Sequence, residues 1–166
     1  MEVRSDIMLR GTAWDTAFKN LSDIFKTRTN YSIYIISLAI GLIYDKRIDI
    51  PEDNGEEERS VPRNVIQNND NGKLDYFFQA AVLSTMTEKF TEEQRLELAF
   101  GEKTEFNKIA FLTSFANFGV TKLIECIGTT NIESMENIKN FLIATVEDRN
   151  LDIDELSDDI LLSEDE

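Results

Sequence analysis

Residues 30–44 form the most apolar stretch of the chain, NYSIYIISLAIGLIY. Asn30 can cap the start of a helix, and Ser32 and Ser37 are the polar side chains that interrupt the run. Apolar residues fall on every side of such a helix, which indicates that neighbouring elements surround it. A membrane span needs about 20 apolar residues, so this run is too short to be one. The stretch therefore predicts the buried central helix of a globular domain, with Ile36 in its core.

Apolar residues recur at helical spacing in five further segments. The predicted helices cover residues 12–26, 74–90, 91–101, 104–127 and a stretch that opens at 131. Their apolar faces are Trp14, Phe18, Leu21 and Phe25 in the first, Leu96, Ala99 and Phe100 in the third, and Ile132, Met135, Ile138, Phe141 and Leu142 in the last. Thr12 is a plausible cap, and Thr91 with Gln94 has the spacing of a capping box. Gly119 lies inside a helix, where it predicts close packing against another backbone.

Residues 46–66 interrupt the helical pattern. Ile48 and Ile50 alternate with Asp49, and a polar, glycine-containing segment follows before an apolar piece near Pro62. Both a short β-hairpin and an irregular excursion fit this region. Together these observations predict a mainly α fold, a compact bundle of about six helices around the central one.

The last twenty residues differ in composition from the rest. Residues 147–166 hold ten of the 32 acidic residues and one of the 17 basic ones, so they carry −9 of the net charge of −15. We therefore expect a single helical domain over residues 1–146 and an acidic C-terminal tail over residues 147–166. The negative charge argues against a general nucleic-acid binder.

Two segments offer candidate partner-binding residues. In the tail, Leu156, Ile160 and Leu161 lie on one side of a helix; the tail is either a solvated terminus or an amphipathic segment that binds a basic, apolar groove. Lys46 and Arg47 directly follow the central helix. They are either scattered surface charge or part of a patch that binds phosphate or an acidic partner.

The residues that carry most enzyme chemistry are missing. The chain has no histidine, and it has no nucleophile elbow, phosphate-binding glycine loop or cysteine cluster for zinc. The single cysteine, Cys126, lies among apolar residues and is expected to be a core thiol. We therefore predict no enzyme, no cofactor and no metal. One cysteine and a charged N-terminus without a signal-peptide core favour a cytoplasmic protein that does not bind membranes.

Three segments together resemble a known family. They are Ile24–Arg47, which begins with IF-x-T and ends in a Lys-Arg pair, Leu74–Ala81, and Phe111–Glu125 with the pattern Phe-x-x-[Ala/Tyr]-Asn-x-Gly-x-x-x-Leu. The family consists of small accessory proteins encoded beside bacterial DNA phosphorothioation (Dnd) and related anti-phage defence loci. The similarity covers roughly residues 14–127 and rests mostly on core positions.

The resemblance implies a non-catalytic binding or regulatory subunit that works with larger ATPase or nuclease subunits. On this hypothesis Phe115, Asn117 and Gly119 mark the family's helix, and Lys46 with Arg47 its basic turn. The alternative is an acidic inhibitor that imitates DNA, although such a mimic needs carboxylates on a rigid surface and here most of the net charge lies in the tail. Indirect association with DNA and homo-oligomer formation both stay open.

Overall fold

The computed structural model describes residues 3–26, 29–51, 53, 59–101 and 105–145, so the acidic tail lies outside it. The described residues form seven helices and two short strands. In chain order these are β1 (Ile7–Leu9), α1 (Thr12–Leu21), α2 (Thr29–Tyr44), β2 (Arg59–Val61), α3 (Arg63–Asn69), α4 (Lys73–Ser84), α5 (Glu92–Phe100), α6 (Lys108–Ile124) and α7 (131–145). The predicted mainly α, compact fold is confirmed. The additional helix is α3, which begins after Pro62.

The centre of the fold is the contact between α2 and α6, the most extensive between any two elements. A Cβ atom added at Gly119 would overlap the Ser37 carbonyl and lie 2.9 Å from the Gly41 nitrogen. One added at Gly41 would overlap the Phe115 carbonyl. The two backbones therefore touch where the helices cross, and the close packing predicted at Gly119 is confirmed.

Neighbouring elements surround α2 as the sequence predicts. Ile33, Tyr34 and Leu38 are fully buried, and no residue from 31 to 43 is exposed. Ile36 differs from the prediction because it is only partly buried and packs at the edge of the core. A polar substitution should therefore destabilise the fold more at Leu38 than at Ile36.

Helix α1 packs through the predicted face, with Trp14, Phe18 and Leu21 buried. It ends at Leu21, five residues earlier than predicted, and Thr12 does not cap it. Thr12 instead donates its backbone N–H and its hydroxyl to the Asp53 carboxylate, at 2.6 and 3.1 Å. The N-cap is Gly11, whose φ of 108° lies in the left-handed region.

The strands form one antiparallel pair, with Ile7 opposite Val61 and Leu9 opposite Arg59. Strand β2 lies inside residues 46–66, where the sequence allows a hairpin, but it pairs with β1 from the N-terminal segment. Ile48 is held elsewhere, because its N–H donates to the Ser114 carbonyl and its carbonyl accepts from the Asn117 amide, both at 2.9 Å. Residue 48 is therefore not available to pair with β2, which pairs with β1 instead. Ile7 and Leu9 of β1 are buried.

Two later helices end or face differently from the prediction. Helix α4 stops at Ser84 rather than near residue 90, because the Thr85 hydroxyl and the Met86 N–H both bind the Asp45 carboxylate, at 2.6 and 2.7 Å. Helix α7 turns a different set of residues inward, namely Ser134, Ile138, Phe141 and Leu142, which follow the i, i+4, i+7, i+8 spacing of one face. Ile132 and Met135, predicted to face the core, are exposed.

Side chains cap the first turns of both α5 and α6. The capping box of α5 is confirmed, with Thr91 and Gln94 bonded reciprocally. Helix α6 begins at Lys108, where the Asn107 side chain accepts from the Ala110 N–H at 3.0 Å. The predicted start at Thr104 lies outside the described residues.

Substitution of Gly119 by alanine tests the close crossing of α2 and α6. The added methyl group must push two helix backbones apart, which should cost at least about 3 kcal/mol, the upper end of what overpacking costs. Gly128→Ala is the matched control, because its methyl would meet the side chain of Glu133 rather than a helix backbone. The Glu133 carboxylate accepts two hydrogen bonds from Thr129 and would have to shift, so we expect a loss of less than about 1.5 kcal/mol. Urea denaturation measures both, and a Gly119→Ala protein as stable as the control would contradict the crossing.

Candidate protein-binding surface

Helices α4 and α5 form an antiparallel helical hairpin that two side chains fasten along its seam. The Gln79 amide donates to the Ala99 carbonyl at 3.2 Å. From the other helix, the Arg95 guanidinium donates to the carbonyls of Val82 and Glu88. Because side-chain donors satisfy backbone carbonyls across the seam, the two helices are fixed in register.

The inner side of this hairpin packs on the core. Phe78, Ala81 and Val82 of α4 are buried, and so is Ala99 of α5. Phe78 lies in an aromatic cluster, with ring-centroid distances of 5.8 Å to Phe106 and 6.0 Å to Phe111. The inner side of the hairpin is thus fully used by the fold.

The outer side of the hairpin exposes large apolar side chains. Exposed fractions are 71% for Tyr76, 43% for Leu83, 85% for Met86, 50% for Leu96 and 63% for Phe100. We call these five residues the hairpin face. The sequence predicts Leu96 and Phe100 on the same inward side as Ala99, and the structure corrects this: Ala99 alone of the three is buried.

Helical geometry places the exposed residues of α4 and α5 beside the same seam. Tyr76 and Leu83, two turns apart, both neighbour Gln79, which crosses to α5. Leu96 is three residues before the seam residue Ala99 and four before Phe100, so it neighbours both on the helix surface. Since both pairs point away from the buried side, they share the outer surface of the hairpin.

The hairpin face has acidic neighbours on α5 and a basic one on α4, where Lys73 is exposed one turn before Tyr76. Glu92, Glu93 and Glu97 of α5 are exposed beside it. The nearby guanidinium of Arg95 is occupied by the two carbonyls across the seam and lies 5.8 Å from the Phe90 ring. The face therefore suits a partner surface that is apolar at its centre and basic where it meets α5.

The two predicted basic residues have different environments. Arg47 forms an ion pair with Glu88, and its guanidinium lies over the rings of Phe111 and Phe115 at 5.2 and 5.6 Å. Lys46 is exposed, with its ammonium 5.8 Å from the Phe118 ring. Arg47 thus has a structural role inside the fold, whereas Lys46 is accessible. Their role in partner binding stays a prediction.

The tail residues Leu156, Ile160 and Leu161 lie outside the described residues, so their role also stays a prediction. Cys126 is buried, and its thiol donates to the Lys122 carbonyl at 3.7 Å. Burial, followed by the charge of Glu125, raises the pKa of this thiol, so it holds less of the nucleophilic thiolate at neutral pH than an ordinary cysteine does.

The part of the chain that the structure describes has neither a cluster of metal ligands nor a membrane-spanning helix. No group of three acidic or cysteine side chains there could hold a metal ion. None of its helices is long and apolar enough to cross a membrane.

No protein-family model, curated protein sequence or solved structure matches this chain. The case for a binding surface therefore rests on exposed side chains and their contacts. Sequence reasoning missed the hairpin face, although one signal was present: Glu92 and Glu93 lie one turn before Leu96 and Glu97 directly follows it, a pattern unusual for a core-facing position.

Alanine substitutions at residues 46 and 47 separate the two roles. Arg47→Ala leaves the Glu88 carboxylate without its partner and uncovers two aromatic rings, so it should lower the free energy of unfolding by about 2 kcal/mol. Lys46→Ala removes an exposed charge and should change stability by less than about 0.5 kcal/mol. Urea denaturation of both variants is the measurement, and equal losses of stability would contradict the distinction.

Proposed function

We propose that this chain is a non-catalytic binding or regulatory subunit that attaches to a larger protein through the hairpin face. The observation that carries the proposal is the grouping of five exposed apolar residues on one rigid helical hairpin. Burying a single Leu or Phe side chain contributes about 1.5–3 kcal/mol. Covering four or five such groups supports a specific complex even after the entropic cost of association.

The composition of the hairpin face favours a protein as its ligand. Tyr76 and Phe100 are aromatic side chains of the kind that dominate the energetics of protein interfaces. The exposed glutamates Glu92, Glu93 and Glu97 would lie at the rim, where charges steer association more than they add affinity. The partner surface should therefore combine an apolar centre with lysine or arginine on the side that meets α5.

The resemblance to accessory proteins of bacterial anti-phage defence loci supports a specific class of partner. On that proposal the partner is a larger ATPase or nuclease subunit in the cytoplasm, and any association with DNA occurs through it. The tail residues Leu156, Ile160 and Leu161 would form a second contact with a basic, apolar groove on the same subunit, with the tail carboxylates accelerating the encounter.

Co-purification from the native host, with the neighbouring genes intact, tests the proposal. The tagged wild-type chain should recover a larger subunit, and the Tyr76→Ser, Phe100→Ser variant should recover at least about tenfold less of it, a loss of about 1.4 kcal/mol. The reason is that the variant removes the two aromatic groups of the hairpin face while leaving the core intact. Quantitative mass spectrometry of the eluate gives the ratio.

A matched control uses equally exposed apolar residues on another helix. Ile132→Ser with Met135→Ser on α7 removes side chains that are 71% and 53% exposed, and it should leave recovery unchanged. Equal recovery by wild-type and hairpin variant would reject the hairpin face. Release of the partner by added duplex DNA would favour the DNA-mimic alternative instead.

The same experiment includes the tail as a separate arm. Leu156→Ser with Ile160→Ser should weaken recovery of the partner without lowering the melting temperature. If this variant behaves like wild type while the hairpin variant does not, the hairpin face is sufficient and the tail has no part in assembly.

A further inference from the structure

A second surface, distinct from the hairpin face, lies at the N-terminal end of the fold. Among the described residues β1 pairs with β2 alone, in a sheet of two strands. A strand carries hydrogen-bonding groups along both edges, so the second edge of β1 presents backbone N–H and C=O groups that β2 does not use.

A cleft of about 430 Å³ borders this edge. Residues 3–8 line one side of it, the first turns of α6 line the other, and Asp49 is also part of its lining. Within β1, Ile7 points into the core and Met8 points to solvent, yet both residues line the cleft. Because successive side chains point to opposite faces of a strand, a cleft that reaches both must run along the backbone edge.

The lining of the cleft combines apolar side chains with three charged residues, Arg4, Asp6 and Asp49. Arg4 has a partner within the chain, and the Asp6 carboxylate accepts from the Arg63 N–H at 2.8 Å, so Asp49 is the available charge. Met8, Ile109 and Ala110 provide the apolar surface of the cleft, whereas Val3 and Ile7 are buried beneath it. The exposed carboxylate of Asp49 makes no hydrogen bond or ion pair with the rest of the described chain. By contrast, the Thr113 hydroxyl already donates to the Ile109 carbonyl at 2.8 Å. Asp49 is thus suited to bind a cationic side chain of a ligand.

We propose that this cleft binds an extended, basic segment of a partner polypeptide, which adds to β1 as a third strand. Backbone hydrogen bonds to the β1 edge would supply affinity, and alternate side chains would reach the apolar surface of the cleft and Asp49. The geometry favours a single extended segment over β1 of a second copy. A second copy would bring its β2 into the cleft together with its β1. Because α6 closes the far side of the cleft, there is no space for that additional strand.

A random heptapeptide library displayed on phage is the probe for this proposal. Peptides are selected on the wild-type protein and counter-selected on Ala110→Trp, whose indole fills the cleft from the exposed first turn of α6. We expect enriched peptides that contain lysine or arginine and bind Ala110→Trp at least about tenfold more weakly. Equal melting temperatures of the two proteins establish that the variant is folded.

Two further measurements distinguish strand addition from other modes of binding. N-methylation of alternate peptide residues removes backbone donors and should weaken binding at least about tenfold, and the bound unmodified peptide should slow hydrogen exchange of amides in residues 7–9. Asp49→Lys should weaken binding of a basic peptide about fivefold, since an exposed ion pair contributes up to about 1 kcal/mol. Asp23→Lys makes the same charge change at an exposed position outside the cleft and should have no effect.

Several results would overturn the proposal. One is a selection that enriches no peptide on wild type relative to Ala110→Trp. Another is a peptide whose affinity survives N-methylation at either set of alternate residues, because strand addition requires those backbone donors. A third is protection of α4 and α5 instead of residues 7–9, which would assign peptide binding to the hairpin face.

Discussion

The fold depends on the direct approach of two helix backbones. Where α2 crosses α6, Gly41 and Gly119 leave no space for a side chain, and the backbone carbonyls of Ser37 and Phe115 fill the gap. Because the crossing is so close, the larger side chains on either side of it, such as Leu38 and Leu112, are completely buried. The two longest described helices thus act as one rigid unit on which the other elements pack.

Helix α6 also organises the polar interior. Asn117, on its buried side, accepts a hydrogen bond from the Trp14 indole at 3.0 Å and donates to the Ile48 carbonyl at 2.9 Å. One amide therefore joins α1, α6 and the segment after α2. The same segment holds the helical hairpin through Asp45, which binds the start of the α4–α5 connection, and through the pair of Arg47 with Glu88. The hairpin face is consequently presented on a rigid support, which lowers the entropy lost on binding.

The sequence predicts features whose cause is local or strongly periodic. The buried run of α2, the capping box at Thr91 and the close packing at Gly119 all follow from residues near one another in the chain. Other features depend on distant partners. Ile48 cannot be assigned to a strand or a loop without knowing that Ser114 and Asn117 bind its backbone, and Leu96 cannot be assigned to the surface without knowing that Ala99 faces α4. The hairpin face and the cleft were therefore outside the reach of the pattern alone.

The separation of α2 and α6 along the chain affects how the protein is made. Helix α2 ends at Tyr44 and α6 ends at Ile124, 80 residues later. At a translation rate of about 5–20 residues per second, roughly 4–16 s pass between synthesis of the first helix and completion of the second. During this interval the most apolar segment of the chain lacks the helix with which it makes its most extensive contact. We therefore expect the nascent chain to expose an apolar helix, of the kind that chaperones shield, until the second half has left the ribosome.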